Sequence, residues 1–160
     1  MLHGGWHRLS VATVNPLHRV VEHVYLTDVG GVPLAHLSAR ARSEKDPDLI
    51  ASMFTALQNF MDDSFRDVGI GNVRSIEVGR RHHVAFGRGQ WVLLYVVYRG
   101  RESNRLERRI DELVREIETR FATSLQSWDG DMDKVRGVRE FLEREWNVPS
   151  REPVPAVIAR

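Results

Sequence analysis

Four groups of residues in this 160-residue chain have types and spacings that could do chemistry. In "DGDMDKVRGVRE" the carboxyl groups of Asp129, Asp131, Asp133 and Glu140 fall at positions one, three, five and twelve of a calcium loop, where oxygen ligands converge on a cation. Position six of such a loop needs Gly for its sharp turn, and here it is Lys134, with Arg136 at position eight. The acids therefore read as a helix cap with further acid in its first turn. The histidines are no better placed for a metal. His82 and His83 are adjacent and point to opposite faces of a strand, and His18 and His23, five apart, do the same.

The glycines raise phosphate binding. "LTDVGGVPLAHL" has Gly30 and Gly31 after Asp28, and "GIGNVR" has Gly69 and Gly71. A phosphate loop needs a Lys and a helix start after its glycines, so that backbone amides and an ammonium meet the anion. Neither stretch supplies both, and each precedes a strand-like run, so both read as turns. Arginines form the fourth group. Arg80, Arg81, His82 and His83 in "GRRHH", with Arg88, sit on turns at one end of the expected sheet and form a candidate patch for an anion or acidic partner. "RGRESNRLERR", Arg99 to Arg109, mixes its charges with Glu102 and Glu107 and reads as a solvated helix face, as do Asp62 and Asp63 at a helix end. Aromatic residues are not interleaved with the arginines, which gives single-stranded nucleic acid little to stack on.

No G-x-S-x-G elbow or H-E-x-x-H pair occurs, and the absence of cysteine removes thiolate chemistry and disulfides. No catalytic, cofactor-binding or metal-ligating residue is assigned, and no cofactor is expected. With 23 Lys plus Arg against 22 Asp plus Glu, no strong field draws the whole molecule to nucleic acid or membrane. The most apolar run, "WVLLYVVY", has eight residues where a membrane helix needs about twenty, and "MLHGGWHRLSVATVNP" lacks a signal-peptide core. A soluble cytoplasmic protein is expected.

The elements that must position these groups follow from periodicity. Val20 to Asp28 and Val32 to Ala41 read as two strands joined at Val29-Gly30-Gly31. In "SEKDPDLIASMFTALQNFMDDSF", Asp46 suits an N-cap and Pro47 the first helical position. Leu49, Ile50, Met53, Phe54, Leu57, Phe60, Met61 and Phe65 give that helix a wide apolar stripe, expected to pack firmly on one side. "NVRSIEV", "HVAFG" and "QWVLLYVVY" read as three strands, separated by Gly79-Arg80-Arg81 and by Gly87-Arg88-Gly89. The last is apolar on both faces, which places it mid-sheet. A helix from about Ser103 carries Leu106, Ile110, Leu113, Val114, Ile117, Phe121 and Leu125 on one stripe, and Asp131 caps a further helix running to Trp146. The reading is thus an α+β fold of order β-β-α-β-β-β-α-α, with a five-stranded antiparallel sheet. Residues 1–19 are an N-terminal extension, 20–146 the domain and 147–160, "NVPSREPVPAVIAR", a Pro-rich tail that forms an extended strap or a disordered end.

With "VYLTDVGGVPLAHLS", "DPDLIASMFTALQNFMDDSF", "VRSIEVGRRHHVAFGRGQWVLLYVVYRG" and "RRIDELVREIETRFATSLQSWDGDM" in this order, the chain resembles the longin and roadblock group of domains, which have profilin-like architecture. Roadblock domains usually begin with a helix that Leu17 to His23 is too short to form, so the longin subgroup is favoured. The resemblance implies a non-enzymatic scaffold, often dimeric through sheet edges or paired helices, that binds small GTPases, related domains or signalling partners. A small-molecule sensor with a ligand held between sheet and helix is the alternative reading; Phe54, Phe60, Phe65 and Trp91 point instead to a filled core. An enzyme comes last, because its acids and histidines form no recognisable group.

Overall fold

The computed structural model describes residues 21–39, 46–69, 73–101 and 104–146. The N-terminal extension and the Pro-rich tail lie outside them. The chain forms β1 (Val21–Asp28), β2 (Pro33–Ser38), α1 (Pro47–Arg66), β3 (Ser75–Val78), β4 (His82–Arg88), β5 (Val92–Arg99), α2 (Asn104–Arg120), the short α3 (Ala122–Gln126), a 3-10 turn (Met132–Val135) and α4 (Arg136–Trp146). The five strands make one sheet in the order β2-β1-β5-β4-β3, and every pairing is antiparallel.

The doubly apolar β5 lies in the centre, as its sequence requires. Val92, Leu94 and Val96 face Leu106, Ile110, Leu113 and Ile117 of α2 and Val138 and Leu142 of α4 in the larger core. Leu93 and Tyr95 join Tyr25, Phe54 and Phe86 in a smaller core under α1. The helices thus cover both faces, α1 on one and α2 with α4 on the other.

Strand β4 continues through Gly87 and Arg88, which were expected to separate strands. Gly87 belongs there because α2 passes so close: a Cβ at Gly87 would lie 2.5 Å from Ile110 Cγ2 and 3.0 Å from Val114 Cγ2. The turn after it is fastened to the other end of α2. The Glu118 carboxylate accepts the Trp91 and Val92 amides at 2.7 and 3.2 Å, and a Cβ at Gly89 would overlap that carboxylate. Helix α2 stops at Arg120, earlier than its apolar stripe predicts. Phe121 turns its ring edge-on to Phe141 of α4, 6.1 Å between centroids, and Gly137 leaves room for it. Tertiary packing here overrides helical periodicity. The final helix likewise begins with a 3-10 turn, capped by Asp131 as expected, before α4 proper.

The Gly30-Gly31 stretch is a strand-to-strand turn. Asp28 closes it by accepting the Gly31 amide on its carbonyl at 3.1 Å and the Val32 amide on Oδ1 at 2.7 Å. Only Gly31 has positive φ, 91°, and a Cβ there would sit 3.1 Å from Thr55 Cγ2 of α1. Gly31→Val should therefore cost about 2–4 kcal/mol of unfolding free energy in urea titration, while Gly30→Ala stays within about 1 kcal/mol. Equal losses at the two positions would contradict this account of the turn.

Candidate interaction site

Helix α1 begins where the sequence places it. Asp46 accepts the Asp48 amide at 3.0 Å and Pro47 fills the first turn. Its packing is not what the apolar stripe predicts. The side turned to the sheet presents Ala51, Phe54, Thr55 and Gln58, all buried, with Thr55 Oγ1 2.8 Å from Tyr95 Oη and bonded back to the Ala51 carbonyl at 3.1 Å. Leu49, Met53 and Phe60 are 69, 54 and 68% exposed. At about 100° per residue, those three fall within about 40° of one another and nearly opposite Ala51 and Gln58. The apolar side of α1 is therefore turned largely outward, and smaller or polar residues meet the sheet. The expectation that this stripe, Phe60 and Phe65 included, fills the core is corrected: Phe60 lies outside and Phe65 is 38% exposed.

Periodicity could not have distinguished a core stripe from a surface one. The one sequence signal was its width. Eight bulky apolar residues in one 20-residue helix exceed what a single contact with a sheet covers.

The five residues of the basic group are placed at two ends of β4. Arg80 and Arg81 are exposed on the β3–β4 turn. His82 Nε2 meets Glu22 Oε2 at 3.2 Å, and Arg99 Nε lies 3.7 Å from the other Glu22 oxygen. A bulge between Val21 and His23 in the β1–β5 pairing sets Glu22 out of register beside them. His83 stacks on Tyr98 with centroids 5.3 Å apart. Arg88 stands apart, roughly 20 Å along the strand, where it pairs with Asp62 of α1 at 2.6 Å. The structure brings Arg80, Arg81 and His82 together and leaves Arg88 to hold α1 on the sheet. Asp62, expected to be solvated, has a side chain only 15% exposed. The mixed run Arg99 to Arg109 also does more than face solvent, since Arg109 pairs with Glu145 and ties α2 to α4.

Where calcium would sit, a lysine sits. Lys134 Nζ is 2.6 Å from Asp129 Oδ2, and Asp131 caps the 3-10 turn by accepting the Asp133 amide. That contact holds the Asp129 carboxyl below, and the Lys134 ammonium above, their ordinary values. Among the described residues no cluster of three or more His, Asp or Glu has the arrangement to hold a metal. His18 lies outside them, as do residues 70–72 of "GIGNVR".

One ring array was not visible in the sequence. His23, His36 and Tyr25 stack across β1 and β2, with centroids 5.7 Å apart between the histidines and 4.5 Å between His36 and Tyr25. Register alone, Tyr25 opposite His36, places them together. Burial, with the charges of His23 and Arg139 nearby, pushes His36 down from 6.5 to about 4, and burial pushes Tyr25 up to about 12. The native state disfavours His36 protonation, so the unfolded chain binds more protons between these values. Stability should fall as pH drops from about 6.5 toward about 4 and level off below, by on the order of 2 kcal/mol because His36 is only half-buried. Denaturant melts at stepped pH check this, and His36→Phe should flatten the profile; an unchanged slope in that variant would assign the acid sensitivity elsewhere.

No protein-family model matches the sequence, and no curated protein matches it. Solved structures do. MglB of Myxococcus xanthus aligns with a TM-score of 0.50 at 21% identity, over 62% of this chain and 85% of that one. The Roadblock/LC7 domain from Streptomyces avermitilis aligns with a TM-score of 0.50 at 14% identity, over 66% of this chain and 89% of that one. The likeness is one of fold: this chain has a roadblock/longin-type architecture. The helix expected to separate the two subgroups would fall before β1, outside the described residues.

Proposed function

We propose that this chain is a non-enzymatic interaction module of the cytoplasm that pairs with a second copy of itself through the outer side of α1 and docks a small GTPase or signalling protein. The observation that carries the pairing is the stripe Leu49, Met53 and Phe60, which is more than half exposed at every position. A contiguous apolar stripe left in water marks a docking surface. A second copy suits it because α1 has Asp48 in its first turn and Arg66 in its last, so an antiparallel twofold pair sets each beside its opposite. Among the described residues no helix is long and apolar enough to cross a membrane.

The GTPase rests on the fold and on the element order that resembles longin and roadblock domains. Arg80 and Arg81, with His82 and His83 beside them and Arg88 at the far end of the strand, supply the positive charge that would steer an acidic partner. Binding of full-length chain to a panel of small GTPases, each loaded with GDP or a non-hydrolysable GTP analogue, tests this by interferometry. The expected result is binding that differs between nucleotide states and weakens about tenfold when Arg80→Glu and Arg81→Glu are combined. Absence of binding in both states across the panel would remove the GTPase and leave the pairing standing. The sensor reading loses support, because Tyr25, Phe54, Phe86 and Tyr95 fill the layer between α1 and the sheet with ring contacts 5.5–6.5 Å between centroids.

A further inference from the structure

On the other face of the sheet, away from the α1 stripe, a groove of about 470 Å³ runs between β2 and the start of α4. Leu34 and Val135 form its floor, Met132 stands 49% exposed, and Arg139, Glu140 and Glu143 line its side. Strand β2 is the outermost strand there and pairs only with β1. Arg139 and Glu143 are bonded to each other at 3.0 Å, whereas Glu140 is exposed and has no ion pair among the described residues. At the opposite end of α4, Trp146 is 2% exposed and its indole Nε1 is buried without a hydrogen-bond acceptor. A buried indole N–H normally finds one, because leaving it unpaired costs about 1–3 kcal/mol.

Trp146 is also the residue from which "NVPSREPVPAVIAR" departs. Pro149, Pro153 and Pro155 keep that segment from continuing the helix and favour extended backbone. Its apolar residues, Val154, Val157 and Ile158, come late, between Arg151 and Arg160. The lengths match. Helix α4 has 11 residues and spans roughly 16 Å, while the eight residues from Asn147 to Val154 reach roughly 25 Å when extended. A chain that reverses at Pro149 therefore brings Val157 and Ile158 to the groove.

We infer that Asn147–Arg160 turns back along α4 in the same molecule, a backbone carbonyl near Pro149 accepting the Trp146 indole proton and Val157 and Ile158 covering Leu34, Met132 and Val135. Arg160 or Arg151 then meets Glu140. The segment is a strap that fills the groove beside the β2 edge, independent of the α1 pairing.

Hydrogen exchange on the full chain tests it, comparing the natural sequence with the Val157→Asp, Ile158→Asp double variant. Amides of residues 33–38 and 132–143, and the Trp146 indole proton, should exchange about tenfold faster in the variant, with α1 and β4 unaffected. A second variant, Glu140→Arg, should give a smaller increase at the same amides. Unchanged exchange in the double variant would overturn the assignment. So would protection of the natural chain that grows with protein concentration, since the segment would then be binding a neighbouring molecule.

Discussion

Phe60→Asp, combined with Met53→Asp, is expected to convert a paired chain into a monomer while leaving the fold intact. Both side chains stand mostly in water in the single chain, at 68 and 54% exposure, so removing them takes little from the core. Surface changes of this kind stay within about 0.5 kcal/mol of unfolding free energy. In a twofold pair each substitution occurs twice, and each buries a carboxylate with no positive partner from the opposite stripe. A loss of about 3 kcal/mol or more in association follows, at least about a hundredfold in Kd. Sedimentation equilibrium measures the Kd, and a thermal melt of the diluted variant checks the fold. If the variant melted far lower as a monomer, the stripe would have been core after all, and the outward orientation of α1 would be wrong.

Gly87→Val is expected to be the most damaging single change in the larger core. The strand passes under α2 with no space for a side chain, since even a Cβ meets Ile110 at 2.5 Å and Val114 at 3.0 Å. Neither neighbour can retreat easily, because Ile110 is fully buried and Val114 is 3% exposed in the close-packed layer between α2 and β5. Overpacking costs about 1–3 kcal/mol for small additions, so Gly87→Ala should fall in that range and Gly87→Val above it, enough to unfold much of the population at physiological temperature. The pair can be tested in a cycle. Ile110→Ala alone opens a cavity and destabilises the chain, yet in the Gly87→Ala background it should recover part of the loss, a favourable coupling of about 1 kcal/mol or more. Simple additivity in that cycle would mean that Gly87 is there for backbone freedom and not for clearance.

Much of the fold was legible because its signals are local. The double apolarity of Trp91 to Tyr98 places β5 in the middle, and Asp46-Pro47 fixes the start of α1. What periodicity could not convey is which partner an apolar face meets. The stripe on α1 has good helical spacing, and nothing in the spacing says that the sheet is met by Ala51, Thr55 and Gln58. Close approaches are equally silent in sequence. Gly87 and Gly89 look like turn residues, yet one clears α2 and the other clears the Glu118 carboxylate. Pairings distant along the chain, such as Arg88 with Asp62 or Glu22 with His82, likewise depend on register and on a bulge that composition does not report.

The central claim is that the outward apolar side of α1 holds two copies together. Light scattering coupled to size exclusion, run on the full chain from nanomolar to high micromolar loading, addresses it most directly. A mass near twice the 18.4 kDa of the chain, falling to the single-chain value only on strong dilution or in the Met53→Asp, Phe60→Asp variant, is the predicted result. A mass of 18.4 kDa at every loading would contradict it.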